Sequence, residues 1–479
     1  MTSFQTEFNH YQQVRSRFWD KANTFPKSVF STFYHRLLRH QFHYIIPIGS
    51  RVLEIGCGKG DLLSSLKPSL GMGVDFSSDA ISQAQKRHPQ FHFICADAHQ
   101  LSLDKAVFDY IILSDLVNDL WDVQAVLTQL LPHCQAHTRI IINFYSNLWN
   151  FPLRLAQRLG LAKPSLPQNW LTKEDLSNLL TITGFEPLRS WQEVLFPIPI
   201  PFVSTFFNRY LAKLFPFNHL CLTNFLIARP KPKPIKREPS VSIVIAARNE
   251  SGHIDELLMR TASLTLDPGD TEIIFVEGNS SDDTYASIKR AISENPKRNC
   301  ILLKQTGKGK GDAVRAGFSQ AKGDILMILD ADITVPPEDL PRFYALMANG
   351  SADFVNGVRL VYPMNENAMR FFNLIGNKFF SFAFSWLLGQ PIKDTLCGTK
   401  VLWRTDYERI AKNRAYFGEF DPFGDFDLLF GAAKLNLKIM EIPIRYRARR
   451  YGETNISRWT HGLLLLKMVI FAAKRIKFH

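Results

Sequence analysis

The 479 residues predict an α/β protein of two domains in tandem. Three observations carry that expectation. Short apolar strands alternate with helix-forming stretches in each half, which implies mostly parallel sheets covered by helices. A proline- and lysine-rich segment, RPKPKPIKREPS at 229–240, parts the halves and favours extended, semi-rigid backbone. Glycines and carboxylates cluster just after the strands, where open parallel sheets bind ligands. The expected division is a domain over 1–229, a linker over 230–239 and a second domain over 240–479.

Composition narrows the class. With 46% hydrophobic and 21% charged residues the chain is globular, not disordered. Its formal charge is +13, and between Arg445 and His479 nine Lys and Arg face one acid, Glu453, so an anionic partner is expected at that end. No recognition motif accompanies the charge, and nucleic acid is not expected. The six cysteines show no metal or disulfide spacing, which suits a reducing compartment. The start, MTSFQTEFNHYQQVRSRFWDK, lacks the apolar core of a signal peptide, and no apolar run reaches the roughly 20 residues of a membrane span. The expected location is peripheral, on the cytoplasmic side of a membrane.

In the first half the strands are read, in order, as RVLEIG, GMGVDFS, FHFICAD, FDYIILSD, TRIIINFY and LTNFLIAR. VLEIGCGKGDLL places Gly56, Gly58 and Gly60 after the first of them, which suits a tight turn that brings backbone close to a nucleotide cofactor. Asp61 stands where a dinucleotide fingerprint requires glycine, so an NAD site is set aside. Asp75, after the second strand, can accept from both ribose hydroxyls, and Asp97, after the third, from an adenine amine.

These three motifs in order resemble the class I S-adenosylmethionine-dependent methyltransferases, over about residues 30–229. The resemblance implies a Rossmann-like sheet with S-adenosyl-L-methionine as cofactor. It also implies that Glu54 supports the loop and the methionine amino group, with Asp75 on the ribose and Asp97 on the adenine. LSDLVNDLWD, after the fourth strand, lacks the NPPY-type motif of enzymes that methylate amide or base nitrogens. The expected target is a hydroxyl or carboxyl of a small molecule, sugar or lipid. A non-catalytic module that binds S-adenosylmethionine is the alternative.

The second half opens with SVSIVIAARNE, TEIIFVEGNSSDDT, CILLKQ and DILMILDAD. Asp330 and Asp332 end the last of these strands one residue apart, an arrangement that calls for a divalent cation between them. GKGKGDAVRAG is a glycine-rich helix entry led by Lys310, and helix N-termini and lysines both favour anions. With Ala247, Glu250, Glu277 and Ser280 at the other strand ends, the expected ligand is a nucleoside diphosphate. FGDFDLLF offers Asp425 and Asp427 as a base for a hydroxyl acceptor; Asp425 is equally expected as a helix cap.

AARNE, VEGNSSDDT, GKGDAVRAG, LDADITVPP, DTLCGTKVLWR, EIPIRYRAR and RRYGETN together resemble the family 2 glycosyltransferases of GT-A fold. The likeness is to the dolichyl- and polyprenyl-phosphate mannosyl- and glucosyltransferases, over residues 240 to about 460. It implies that Asp330 contacts the nucleotide, that Asp332 coordinates Mg or Mn on the diphosphate, and that Glu250 and Glu277 line the nucleoside site. Asp394, Lys400, Arg404 and Arg449 would then face donor or acceptor phosphates. Thr334, Thr454 and Asn455 depart from the pattern, which leaves the sugar open and the acceptor either a lipid phosphate or a hydroxyl of an envelope glycan or glycolipid. Aromatic-rich and basic stretches near 368–390 and 460–479 predict membrane-proximal helices.

Overall fold

The computed structural model describes residues 3–22, 28–103, 106–159, 165–232, 237–262, 271–359, 361–362, 371–418, 421, 424–445 and 458–479. Two compact units emerge, Met1–Lys231 together with Phe478–His479, and Pro232–Lys477. Each is built on its own seven-stranded sheet.

The first unit contains β1 (Arg51–Ile55), β2 (Leu70–Asp75), β3 (His92–Cys95), β4 (Phe108–Ser114), β5 (Cys134–Tyr145), β6 (Phe185–Glu193) and β7 (Thr223–Pro230). The order is β3-β2-β1-β4-β5-β7-β6, with β1 to β5 parallel and β7 antiparallel to both neighbours. Central strands buried on both faces read as unbroken apolar runs. Accordingly Leu53 and Ile55 join the core on one face, while Val52 joins the core on the other. Strand β6 is absent from the sequence reading because it lies at the sheet edge and carries Pro187 beside a register shift. The chain runs from β1 outwards to β3 and then returns to β4, so the order reverses between β1 and β4. A crevice therefore opens at their carboxyl ends.

The second unit contains β8 (Val241–Ala247), β9 (Thr271–Glu277), β10 (Cys300–Lys304), β11 (Ile325–Asp330), β12 (Phe354–Val358), β13 (Lys400–Trp403) and β14 (Ile439–Pro443). The order is β10-β9-β8-β11-β13-β12-β14, with its reversal between β8 and β11. Strand β13 runs antiparallel to β11 and β12. The helix Phe371–Leu388 turns Phe384, Leu387 and Leu388 into the core beside Leu465, Met468 and Ala472 of the helix Arg458–Ala472. Phe379, Phe382, Leu463 and Ile470 of the same two helices are exposed. Among the described residues no helix is long and apolar enough to cross a membrane.

Candidate functional sites

In the first unit the glycine turn after β1 takes the strained form its sequence suggests: Gly56, Gly58 and Gly60 have φ of 74°, 50° and 75°. A Cβ on Gly56 would stand 2.9 Å from Leu116 Cδ1, whereas nothing lies within 4 Å of one on Gly58, so the backbone there faces open space. Asp75 braces the turn. Its Oδ2 accepts from Gly58 N at 2.8 Å and its Oδ1 from Ser77 N at 3.0 Å. Glu54 is buried under the turn and accepts from Leu63 N at 3.0 Å. Burial, aided by the Asp75 and Asp61 charges, pushes its pKa up to about 8. Burial also raises the pKa of Asp75.

A cavity of about 350 Å³ lies at this edge, bounded by Gly56, Asp75, Asp97 and Leu116. The helix Ser3–Ala22 closes it with Tyr11, Gln12 and Arg15. That helix is anchored on Asp119: Arg15 Nε donates to its carbonyl at 2.9 Å, and Trp19 Nε1 to its carboxylate at 2.8 Å. Gln12 donates to Asp97 Oδ2, while Asp97 Oδ1 accepts from His99 N at 2.8 Å. Burial opposes ionisation of Asp97, but the bonds from His99 and Gln12 outweigh it and hold the carboxyl below its usual range. The adenine role foreseen for Asp97 therefore has to share that carboxylate with Gln12.

One acid beside the cavity was not singled out from sequence. Asp115 follows β4 at φ 53° and directly precedes Leu116 of the cavity wall. Its Oδ1 accepts from Tyr34 OH at 2.9 Å and Asn143 Nδ2 at 2.6 Å. Its Oδ2 and Asn143 Oδ1 are buried without a hydrogen-bond partner among the described residues, a state that favours a ligand able to donate. Burial pushes the Asp115 pKa up to about 7 against the pull of those two bonds.

The second unit arranges its acids differently. Asp330, at the carboxyl end of β11, pairs with Lys310 Nζ at 2.5 Å. The glycine-rich entry that carries Lys310 is held by Asp312 Oδ2, which accepts from Gly307 N at 3.1 Å and Gln305 Nε2 at 2.9 Å. A side chain at Gly398 would collide with both members of the Asp330–Lys310 pair. Burial opposes the charge of Asp330, but Lys310, then Lys400 and Arg359, outweigh it and lower its pKa. Arg359 was not foreseen. It stands one residue past β12 and is gripped by Asp394 through Nε at 2.7 Å and Nη2 at 2.9 Å. Asp394 is thus committed to the Arg359 guanidinium. Asp332 Oδ1 accepts from Thr334 Oγ1 at 2.7 Å and from Thr334 N at 3.1 Å, which orients the carboxylate two residues beyond β11.

The other foreseen residues are held in contacts within the fold. Ala247 is enclosed at the end of β8. Glu250 is buried against His253 Nδ1 at 2.8 Å, and Glu277 is buried with Ser280 N at 2.5 Å, so both brace the loops after β8 and β9. Lys400 is wholly enclosed and bonds Asp425 Oδ1 at 2.9 Å and the Cys397 carbonyl. Asp425 occupies the N-cap position of the helix Phe426–Lys434, yet no side-chain cap bond forms there. Asp427 is paired with Arg414 Nε at 2.8 Å. Arg404 lies at the opposite end of the sheet: its backbone N bonds the Asp324 carbonyl and its Nε the Gly323 carbonyl, both just before β11 begins. The antiparallel course of β13 explains the split, since it sets Lys400 toward the ligand edge and carries Arg404 away from it. Arg449, Thr454 and Asn455 lie outside the described residues. Among those described, no group of three His, Cys, Asp or Glu could by itself enclose a metal.

Comparison with known proteins follows the same division. A family model described as "Methyltransferase domain" matches residues 52–136, and one described as "Glycosyl transferase family 2" matches residues 242–411. Both domain types are thus present in the one chain. The undecaprenyl-phosphate 4-deoxy-4-formamido-L-arabinose transferase of Enterobacter sp. (strain 638) is 28% identical over 218 residues, which is 45% of this chain and 62% of that protein. The protein of the same name from Pseudomonas savastanoi pv. phaseolicola is 37% identical over 130 residues, 27% of this chain and 37% of that one. The chain therefore spans less than two thirds of the length of these relatives. Among solved structures, glucosyl-3-phosphoglycerate synthase from Mycobacterium tuberculosis aligns with a TM-score of 0.37 at 18% identity, covering 50% of this chain and 80% of that one.

Proposed function

We propose that the protein is a bifunctional transferase: the second unit moves a sugar from a nucleoside-diphosphate sugar to a polyprenyl phosphate, and the first methylates a glycan, lipid or small molecule with S-adenosylmethionine. The observation that carries the first activity is the Asp330–Lys310 pair at the β8/β11 reversal, with Asp332 two residues on. The names of the two curated relatives given above, both transferases to undecaprenyl phosphate, support the acceptor.

In this reading an acceptor phosphate oxygen attacks the anomeric carbon as its bond to the diphosphate breaks, with inversion, and the nucleoside diphosphate leaves. Lys310 and Arg359 would offset the charge on the leaving group. Asp332 and Asp330 suit a Mg or Mn ion of the kind held by one or two carboxylates plus substrate phosphates and water, in keeping with the small protein donor set. Such an ion would add to the same charge offset. An ionised phosphate acceptor needs no general base. A hydroxyl acceptor would, and with Asp425 on Lys400 and Asp427 on Arg414 one ion pair would have to open first. That favours the phosphate.

In the first unit the acids and the open Gly58 backbone fit a cofactor that brings an ammonium group and ribose hydroxyls. S-adenosylmethionine when bound supplies an electrophilic methyl group. Glu54, enclosed beneath the turn and outside the cavity wall, would act on its amino group by charge through the loop it supports, and Asp75 would face its ribose. Asp115 would accept the proton that a methylated hydroxyl gives up. Peripheral attachment at the cytoplasmic face of a membrane accords with a lipid acceptor and with exposed Phe379 and Phe382.

The test is incorporation of labelled sugar into extractable lipid from a panel of uridine and guanosine diphosphate sugars, with Mg or Mn and polyprenyl phosphate. Metal-dependent label that disappears in Asp332→Asn is the expected result. Donor consumption without lipid label would refute the phosphate acceptor.

A further inference from the structure

The first unit carries a second feature that the two transfer reactions do not explain. Two segments, one after β5 and one between β6 and β7, expose large apolar side chains at their tips: Phe202 is 89% exposed, Phe215 81% and Phe151 75%, with Leu148, Phe206 and Leu220 beside them. The helix Asn150–Arg158 buries none of its residues. Trp149 Nε1 donates to the Leu220 carbonyl at 2.9 Å, which joins the two segments into one surface.

Its charge is one-sided. No Asp or Glu occurs between Asp122 and Glu174, nor between Glu193 and Glu238. Arg154, Arg158 and Arg209 are exposed among the apolar side chains. Its position is also informative. Tyr145, the last residue of β5, pairs with Thr223, the first of β7, and Ser146 N bonds the Leu222 carbonyl at 2.8 Å. Both segments therefore leave the sheet at the carboxyl end of β5, the edge on which the cavity lies.

We propose that this rim docks the first unit on an anionic lipid surface, and so brings a lipid-borne methyl acceptor to the cavity. Exposed phenylalanines flanked by arginines, without an acid to repel headgroups, match the boundary between headgroups and acyl chains. The docking stands on the surface alone. The choice of a lipid-borne acceptor rests on the methylation reading given above.

The experiment is partition of the full chain onto phosphatidylcholine vesicles with and without phosphatidylglycerol. Phe151→Ser/Phe202→Ser/Phe215→Ser is expected to lower partition at least about tenfold at an unchanged melting temperature. Arg154→Gln/Arg158→Gln/Arg209→Gln should erase the preference for phosphatidylglycerol. The control Ile48→Ser/Ile182→Ser removes side chains 79% and 63% exposed elsewhere on the unit and should leave partition unchanged. Wild-type partition in the phenylalanine variant, equal loss in the control, or loss only of self-association, which would mark a second copy as the occupant, each overturns the proposal. Methyl transfer plays no part in this readout. Vesicle binding without methyl incorporation into lipid would count against the methylation reading and leave the docking intact.

Discussion

The two sheets share one device, a reversal of strand order that opens a crevice at the carboxyl ends, yet the most deeply buried acids near each edge differ in what balances them. In the first unit Glu54 and Asp115 are acids under burial, shifted up to about 8 and about 7. In the second, Asp330 and Asp394 are held below the usual carboxylate range because Lys310 and Arg359 outweigh the penalty of burial. Acids short of a counter-charge suit a ligand that brings a cation. Carboxylates interleaved with lysine and arginine suit a polyanion with its metal. The contrast teaches that ligand charge is set by what surrounds the strand-end acids, not by the acids alone.

The largest expected effect tests the second unit's buried cation. Lys400→Met leaves Asp425 enclosed without its partner, and about 3–5 kcal/mol of stability should be lost in urea unfolding. Adding Asp425→Asn should recover part of that loss. No recovery would mean that Lys400 acts through packing alone.

Lys310→Gln comes next. Removing a charge-assisted contact should weaken nucleoside diphosphate binding by roughly 10- to 100-fold, equivalent to about 1.5–3 kcal/mol, by fluorescence titration. Affinity for S-adenosylmethionine should not move. A change in both would break the contrast between the two edges.

Much of this was legible in the chain, and the exceptions have physical causes. The positive-φ glycines, Asp75 and Asp330 sit at strand ends that are apolar runs followed by small or acidic residues, a local signal. The helix Ser3–Ala22 was missed as a cavity wall because its contacts are remote in sequence: Arg15 meets Asp119, and Gln12 meets Asp97. Arg359 escaped notice because the short β12 before it has no distinctive pattern, and Arg404 was misplaced because a motif does not report strand direction. Asp115 was hidden in plain view, since only the burial of its Oδ2 distinguishes it from any acid after a strand. The exposed Phe202 and Phe215 look like core residues until the fold shows what they leave uncovered.

A smaller effect separates the acids of the first unit by pH. Glu54 holds its proton up to about pH 8 in the free protein, so an ammonium that needs the carboxylate must displace that proton. Affinity for S-adenosylmethionine should therefore rise as pH goes from 6 toward 8, by up to about tenfold per unit, and fall above as the cofactor ammonium itself loses its proton. Glu54→Gln should flatten the curve. The sign for folding is opposite. A raised carboxyl pKa contributes stability that is fully present below the unfolded value near 4.5 and is lost as pH rises through about 8.

The smallest effect is a control away from both edges. Thr172 and Asp175 form a reciprocal capping box on the helix Lys173–Ile182, and Thr172→Ala should cost about 1 kcal/mol of stability without altering either ligand affinity.

The most direct test of the contrast is calorimetric titration of the full chain with S-adenosylmethionine at pH 7, in buffers of different ionisation enthalpy. The account predicts release of about one proton per cofactor bound, lost in Glu54→Gln. Proton uptake, or no exchange in the wild type, would contradict it.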